Sequence, residues 1–178
     1  DDFNTLSFAP GQPTDCLGQN LIAQPSPFGG NFFVAENRFF LRPDGNGGTQ
    51  LACAGIGDNF VTAQTLVNNV EDMRLTYGIG NIVMGPFGNR IFEGRVLDYL
   101  RADEIDAHPV FGLEPVMNRW RRVSSVRICL VMRSDDGVTD QPTPYFDCTG
   151  ALVTPADRRL RTSVSTTVDL RNATAAAL

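Results

Sequence analysis

Cys16, Cys53, Cys129 and Cys148 are the side chains of this sequence best suited to chemistry. None stands in a C-x-x-C pair, and the lone His108 has no cysteine or histidine nearby in sequence, so the spacing does not fit a zinc site. An even number of cysteines in a chain rich in glycine and proline predicts disulfides, and with them an oxidising compartment. Three connectivities are open. Cys16–Cys53 with Cys129–Cys148 is the most local, and chain-entropy arguments assign roughly 3 to 4 kcal/mol to loops of these lengths. Four reduced, buried cysteines in a cytosolic protein are the alternative.

Catalytic patterns are not found. There is no G-x-S-x-G elbow, P-loop or H-E-x-x-H, and a chain with one histidine offers no readable dyad. His108 precedes Pro109 in a polar stretch and reads as a solvated side chain. The acidic runs Asp103-Glu104-Ile105-Asp106 and Asp44-Gly45-Asn46-Gly47 invite a calcium reading, but neither follows the EF-hand ligand pattern, and turn chemistry explains them. Neither a metal nor a cofactor is expected. Two basic clusters remain, Arg119-Trp120-Arg121-Arg122 and Arg158-Arg159-Leu160-Arg161. They suit a protein contact or a nucleic-acid backbone. The plainer reading makes Trp120 a core anchor with its arginines in water. Trp120, Arg121, Arg122, Asp103 and Glu104 are the candidate docking residues.

With 178 residues and a formal charge of −5, the chain is sized for one domain with a real core and is not charged like a general nucleic-acid binder. All fifteen positive charges are arginines. No run approaches the roughly eighteen apolar residues that span a membrane. No signal peptide precedes Asp1, and the absent initiator methionine is expected of a processed or trimmed chain.

The elements that must position these residues are mostly strands. Leu160, Thr162, Val164, Thr166, Val168 and Leu170 alternate with Arg161, Ser163, Ser165, Thr167, Asp169 and Arg171, which predicts a closing strand whose Leu/Val/Thr face is buried. Val126, Ile128, Leu130 and Met132 alternate as a central strand covered at least partly on both faces. Strands are also expected at 32–41 and 49–54, joined by the glycine-rich turn 42–48, and at 73–79 and 96–100. Phe3, Leu6 and Phe8 suit a short first strand. Leu66, Val67, Val70 and Met73 show helical spacing. Residues 10–30 and 78–95 read as loop, 103–115 has no clear period, Asp135-Asp136-Gly137 reads as a turn, and 138–144 as a Thr/Pro loop. The tail Ala173–Leu178 looks frayed.

Taken in order, several segments resemble the PilW family of type IV pilus minor pilins. They are Asp15-Cys16-Leu17-Gly18-Gln19, Leu51-Ala52-Cys53-Ala54-Gly55, Leu66 through Gly78, Tyr99-Leu100-Arg101-Ala102, Trp120 through Ser134, and Asp157-Arg158-Arg159-Leu160-Arg161 running to Leu170-Arg171-Asn172. A similar layout occurs in the J-type minor pseudopilin of type II secretion; the Asp157–Arg161 strand ending in Leu170-Arg171-Asn172 looks more like PilW. Members of this family begin with a prepilin peptide and a long hydrophobic helix, which this sequence does not contain, so it is expected to be the globular part alone.

The resemblance implies an α+β, β-dominated pilin-type head with antiparallel sheets and one or two short helices, in a single domain over 1–178. It also implies a structural rather than catalytic role: a minor pilin that primes pilus assembly with other minor pilins and sits at the tip. Expected partners are other minor pilins, the major pilin and a tip adhesin, with the membrane reached only through the missing helix. The expected location is the periplasm and inner membrane before assembly, then the extracellular pilus. A secreted β-rich module that binds a ligand through its glycine-rich loops is the alternative from another class.

Overall fold

A computed structural model of the chain describes residues 13–27, 29–84, 86, 90–108, 115 and 119–170. The predicted first strand at Phe3–Phe8, the Arg171-Asn172 ending, the tail and most of 109–118 lie outside these residues. The chain divides into two compact units, Asp1–Val70 and Glu71–Leu178.

In the first unit, β1 (Ala23–Pro25) pairs with β2 (Asn31–Phe33), and β3 (Asn37–Pro43), β4 (Thr49–Gly55) and β5 (Gln64–Asn68) form an antiparallel sheet in that order. The predicted glycine-rich hairpin is the β3–β4 connection. Asp44 Oδ1 accepts the backbone N–H groups of Asn46 at 2.7 Å and Gly48 at 2.8 Å, while Gly45 and Gly47 take the positive φ that the turn requires. Buried Ala52, Cys53 and Ala54 on β4, with Leu21, form the centre of this unit.

The Cys16–Cys53 disulfide ties the stretch before β1 to β4. Beside it, the buried Asp15 carboxylate accepts N–H groups from Leu17 and Gln19 on Oδ1, at 2.9 and 3.0 Å, and from Gly57 on Oδ2 at 2.9 Å. Burial pushes the Asp15 pKa up. The backbone donors of Gln19, Gly57 and Leu17 together outweigh it, so the group is held below the ordinary carboxylate value. A Cβ on Gly55 would run into this carboxylate, which explains the glycine that follows Cys53-Ala54.

The second unit is built on a sheet of order β11-β8-β6-β7, from β6 (Val70–Met84), β7 (Arg90–Leu100), β8 (Val123–Gly137) and β11 (Arg159–Asp169). A two-stranded ribbon, β9 (Tyr145–Phe146) with β10 (Leu152–Val153), and one helix, α1 (Ala102–Asp106), complete it. β8 is the predicted central strand, flanked by β11 and β6.

Several expectations require correction. Leu66, Val67, Val70 and Met73 are not helical: they lie on β5 and β6, and Asn69, at φ 60°, breaks the chain between those strands. That break shifts the apolar phase, so two strands mimic a helical spacing. Residues 78–95 are mostly strand rather than loop. Gly78 sits within β6 because Ser125 and Tyr99 come close enough that a Cβ would strike them, and bulges near Gly80 absorb the irregularity. Residues 10–30 include β1, and 32–41 is split between β2 and β3. Residues 135–137 continue β8, with Gly137 paired to Arg159. The segment after Arg101 begins with α1, too short to show a period.

The closing strand does not bury the face that alternation predicts. Leu160, Val164 and Val168 are 48%, 53% and 50% exposed, whereas the Arg161 side chain is only 8% exposed. Cys148 bonds to Cys129, which pairs with Ser165 on the face shared by Arg161, so the disulfide ties the loop after β8 to that face, although Ser165, Thr167 and Asp169 stay exposed there. Arg161 is held by carboxylates on both sides. Its Nε and Nη2 donate to Glu71 at 2.5 and 2.8 Å, and its Nη1 and Nη2 donate to Asp157 at 2.6 and 3.0 Å.

Candidate interaction surface

The helix α1 is entered from Arg101, whose backbone N–H donates to Glu104 Oε2 at 2.7 Å, half of a capping box. Ile105 is fully buried against Ile79 and Val123, with Tyr77, Leu100 and Trp120 packed around them. That contact turns the other side of the helix outward, so Asp103 and Glu104 are exposed. Arg101 bridges to both, at 3.0 and 3.5 Å. The Asp103 hydrogen bond and charge, then the Glu104 charge, raise the Arg101 pKa further above its ordinary value. Such exposed pairs add little stability and leave charge at the surface for a partner.

Trp120 joins this helix to the basic cluster. Its Nε1 donates to Asp106 Oδ1 at 2.8 Å, and its ring meets Tyr77 edge-on, with centroids 4.9 Å apart and planes at 79°. Arg119 is buried and donates to the Asp106 carbonyl. Arg122 is half-buried, and its own carbonyl accepts the Gly80 N–H at 2.9 Å. Of the cluster, Arg121 alone is fully exposed. Trp120 and Arg119 thus join the basic segment to the end of α1 at Asp106, beside the apolar cluster of Ile79, Ile105 and Val123. Trp120 is a core anchor that is only half-buried. His108 lies just beyond the helix and is half-buried rather than fully solvated.

A second feature was not visible in sequence. Arg127 on β8 stacks over the Tyr99 ring, 3.6 Å from its centroid, and Ser125 Oγ lies 3.4 Å from the Tyr99 hydroxyl. The Ser125 hydrogen bond, opposed by burial and assisted by Thr167 and Arg127, lowers the Tyr99 pKa below its ordinary 10.0. Tyr99 and Arg127, with Arg74, Arg101 and the Cys129–Cys148 bridge, line an open groove of about 600 Å³. Only register could have revealed it, because Tyr99 pairs with Gly78, whose missing side chain admits Ser125 and the ring.

Among the described residues no group of histidine, cysteine or carboxylate side chains is arranged to hold a metal ion. In the Asp44 turn the carboxylate is already engaged by backbone N–H groups. No helix among the described residues is long and apolar enough to cross a membrane. Comparison with curated proteins gave no match, and comparison with solved structures gave none either. The family model of type IV pilus-assembly protein W matches residues 38–172, about three quarters of the chain, from β3 to just past the end of β11. With a match of that extent, the chain belongs to the PilW family of type IV pilus-assembly proteins.

Proposed function

We propose that this chain is a minor pilin, a single pilin-type head that primes type IV pilus assembly with other minor pilins and sits at the pilus tip. The observation that carries the reading is the family match over residues 38–172. The two disulfides support an extracytoplasmic location, in the periplasm before assembly and on the extracellular pilus afterwards, because such bonds persist in oxidising compartments. The work proposed is association rather than catalysis: head-to-tail contacts that differ on the two partners and so build an open filament. Other minor pilins, the major pilin and a tip adhesin are the partners this reading names.

The rim formed by Asp103, Glu104, Arg121 and the edge of Trp120 is the proposed contact, with Arg122 supporting it from below. Its mixed charges suit a partner surface bearing both signs, and its aromatic centre suits an interface anchor. The test is capture of the other minor pilins by this chain, alongside pilus counts in a deletion strain. Loss of pili and capture of at least one partner are expected, with Arg121→Glu weakening capture while leaving the melting temperature unchanged. Normal piliation with no partner captured would overturn the priming role, and full capture by Arg121→Glu would move the contact elsewhere.

A further inference from the structure

β11 is the outer strand of its sheet, and from Thr162 to Asp169 the backbone side turned away from β8 has no hydrogen-bond partner among the described residues. Edge strands are ordinarily blunted by lysine, proline, shortness or bulges. β11 has eleven residues and neither lysine nor proline, and the one register shift near its start has its extra residues on β8. From Val164 to Asp169 every residue is exposed. An unpaired backbone row of this length is complementary to one thing, another extended backbone.

The side chains specify which. We propose that β11 pairs antiparallel with β11 of a second copy of this chain, centred on Val164. In that register Val164 faces Val164, Leu160 faces Val168 and Thr162 faces Thr166, so the apolar row continues unbroken across the two copies. Ser163 faces Ser165 on the other side. At each end Arg159 faces Asp169, giving two opposite-charge pairs related by the two-fold axis. The register shift beside Arg159 has its extra residues, 134–136, on β8. Neighbouring registers lose this match. Centring on Ser165 sets Asp169 against Arg161, which Glu71 and Asp157 already hold, and centring on Ser163 sets Asp169 against Asp157. The pairing extends the apolar face that β11 shares with Ile128, Leu130 and Met132 of β8. It also closes on itself, covering the β11 edge of both copies.

The test is sedimentation of the full chain from micromolar to submillimolar concentration, where a monomer–dimer equilibrium is expected. Arg159→Asp and Asp169→Arg should each weaken dimerisation roughly five- to thirty-fold, since each reversal creates two like-charge pairs. Combined in one chain they should restore it to within about threefold, because the pairs re-form with signs exchanged. Monomers at every concentration would overturn the proposal. So would a dimer indifferent to the single reversals, or one that the double reversal fails to restore although all variants melt as the parent does. None of these readouts involves a pilus partner, so this proposal and the minor-pilin reading stand or fall separately.

Discussion

Removing Glu71 tests the central feature of the second unit, the burial of Arg161 between two carboxylates. Glu71 takes two hydrogen bonds from Arg161, at 2.5 and 2.8 Å, and lies 3.5 Å from Arg133 Nη1. Arg161 and Arg133 are direct partners in the β8–β11 register, and their side chains are 8% and 10% exposed. Glu71→Ala therefore leaves two nearly buried guanidiniums side by side, with Asp157 still on one of them. Breaking a buried ion pair from one side costs about 3–5 kcal/mol, and the remaining carboxylate puts this case near the lower figure, about 3 kcal/mol. For a chain of this length that lowers the melting temperature by roughly 6–12 °C. Urea unfolding at constant slope gives the free-energy difference directly. The neighbouring Asp72→Ala is the control, because its pair with Arg74 is 44% and 45% exposed and should contribute less than about 0.5 kcal/mol. The loss at Glu71 should persist in high salt, since buried pairs are screened less than exposed ones. A loss at Glu71 no larger than that at Asp72, or one abolished by salt, would refute the buried network.

Three further outcomes follow from the same geometry. Hydrogen bonding from Arg161, then from the Arg159 N–H, holds the Asp157 carboxyl well below its ordinary 3.8, so its stabilisation is complete above that value and lost as pH falls through the depressed folded-state pKa. Asp157→Asn should flatten the acid side of a melting-temperature profile below about pH 4 and leave its shape above that unchanged. Replacing Cys129 and Cys148 together by alanine should cost roughly 3 kcal/mol, and Cys16 with Cys53 roughly 4, the larger loop giving the larger loss. Peptide mapping without reduction should recover those two linked pairs and no free thiol. Gly55→Ala drives a Cβ into the Asp15 carboxylate and should cost about 1–3 kcal/mol in urea unfolding; a neutral result would show that Asp15 moves freely.

Much of the sheet was legible because strands announce themselves by alternation. β3, β4 and their turn follow from Asp44, Gly45 and Gly47 between extended runs, and β6, β8 and β11 from period-two patterns. The failures share a cause. At Asn69 a single left-handed residue resets the phase between two strands, and a window spanning it reports a period neither strand has. At Gly78 the residue type suggests a loop, yet the glycine is there to let Ser125 and Tyr99 approach across the sheet. Tertiary proximity, which no local window contains, decided both. The docking candidates show the same division. Residue types singled out Trp120 and the acidic run, but only the structure shows that Trp120 reaches Asp106 at the end of that run.

The closing strand makes the limit of periodicity concrete. Alternation establishes that one face differs from the other, and apolar residues ordinarily mark the buried one. Here Arg161, at the start of the polar face, is nearly buried, while Ser165, Thr167 and Asp169 farther along that face are exposed, so neither face is covered throughout. Arg161 can be buried only because Glu71 and Asp157 neutralise it from both sides; without them burial of the guanidinium would be prohibitive. Leu160, Val164 and Val168 stand exposed on the opposite face. Glu71 comes from β6, far from Arg161 in sequence, so no window on β11 could have shown which end of the polar face is buried. The exposed apolar face is what gives the edge of β11 something to extend when a second strand is laid beside it.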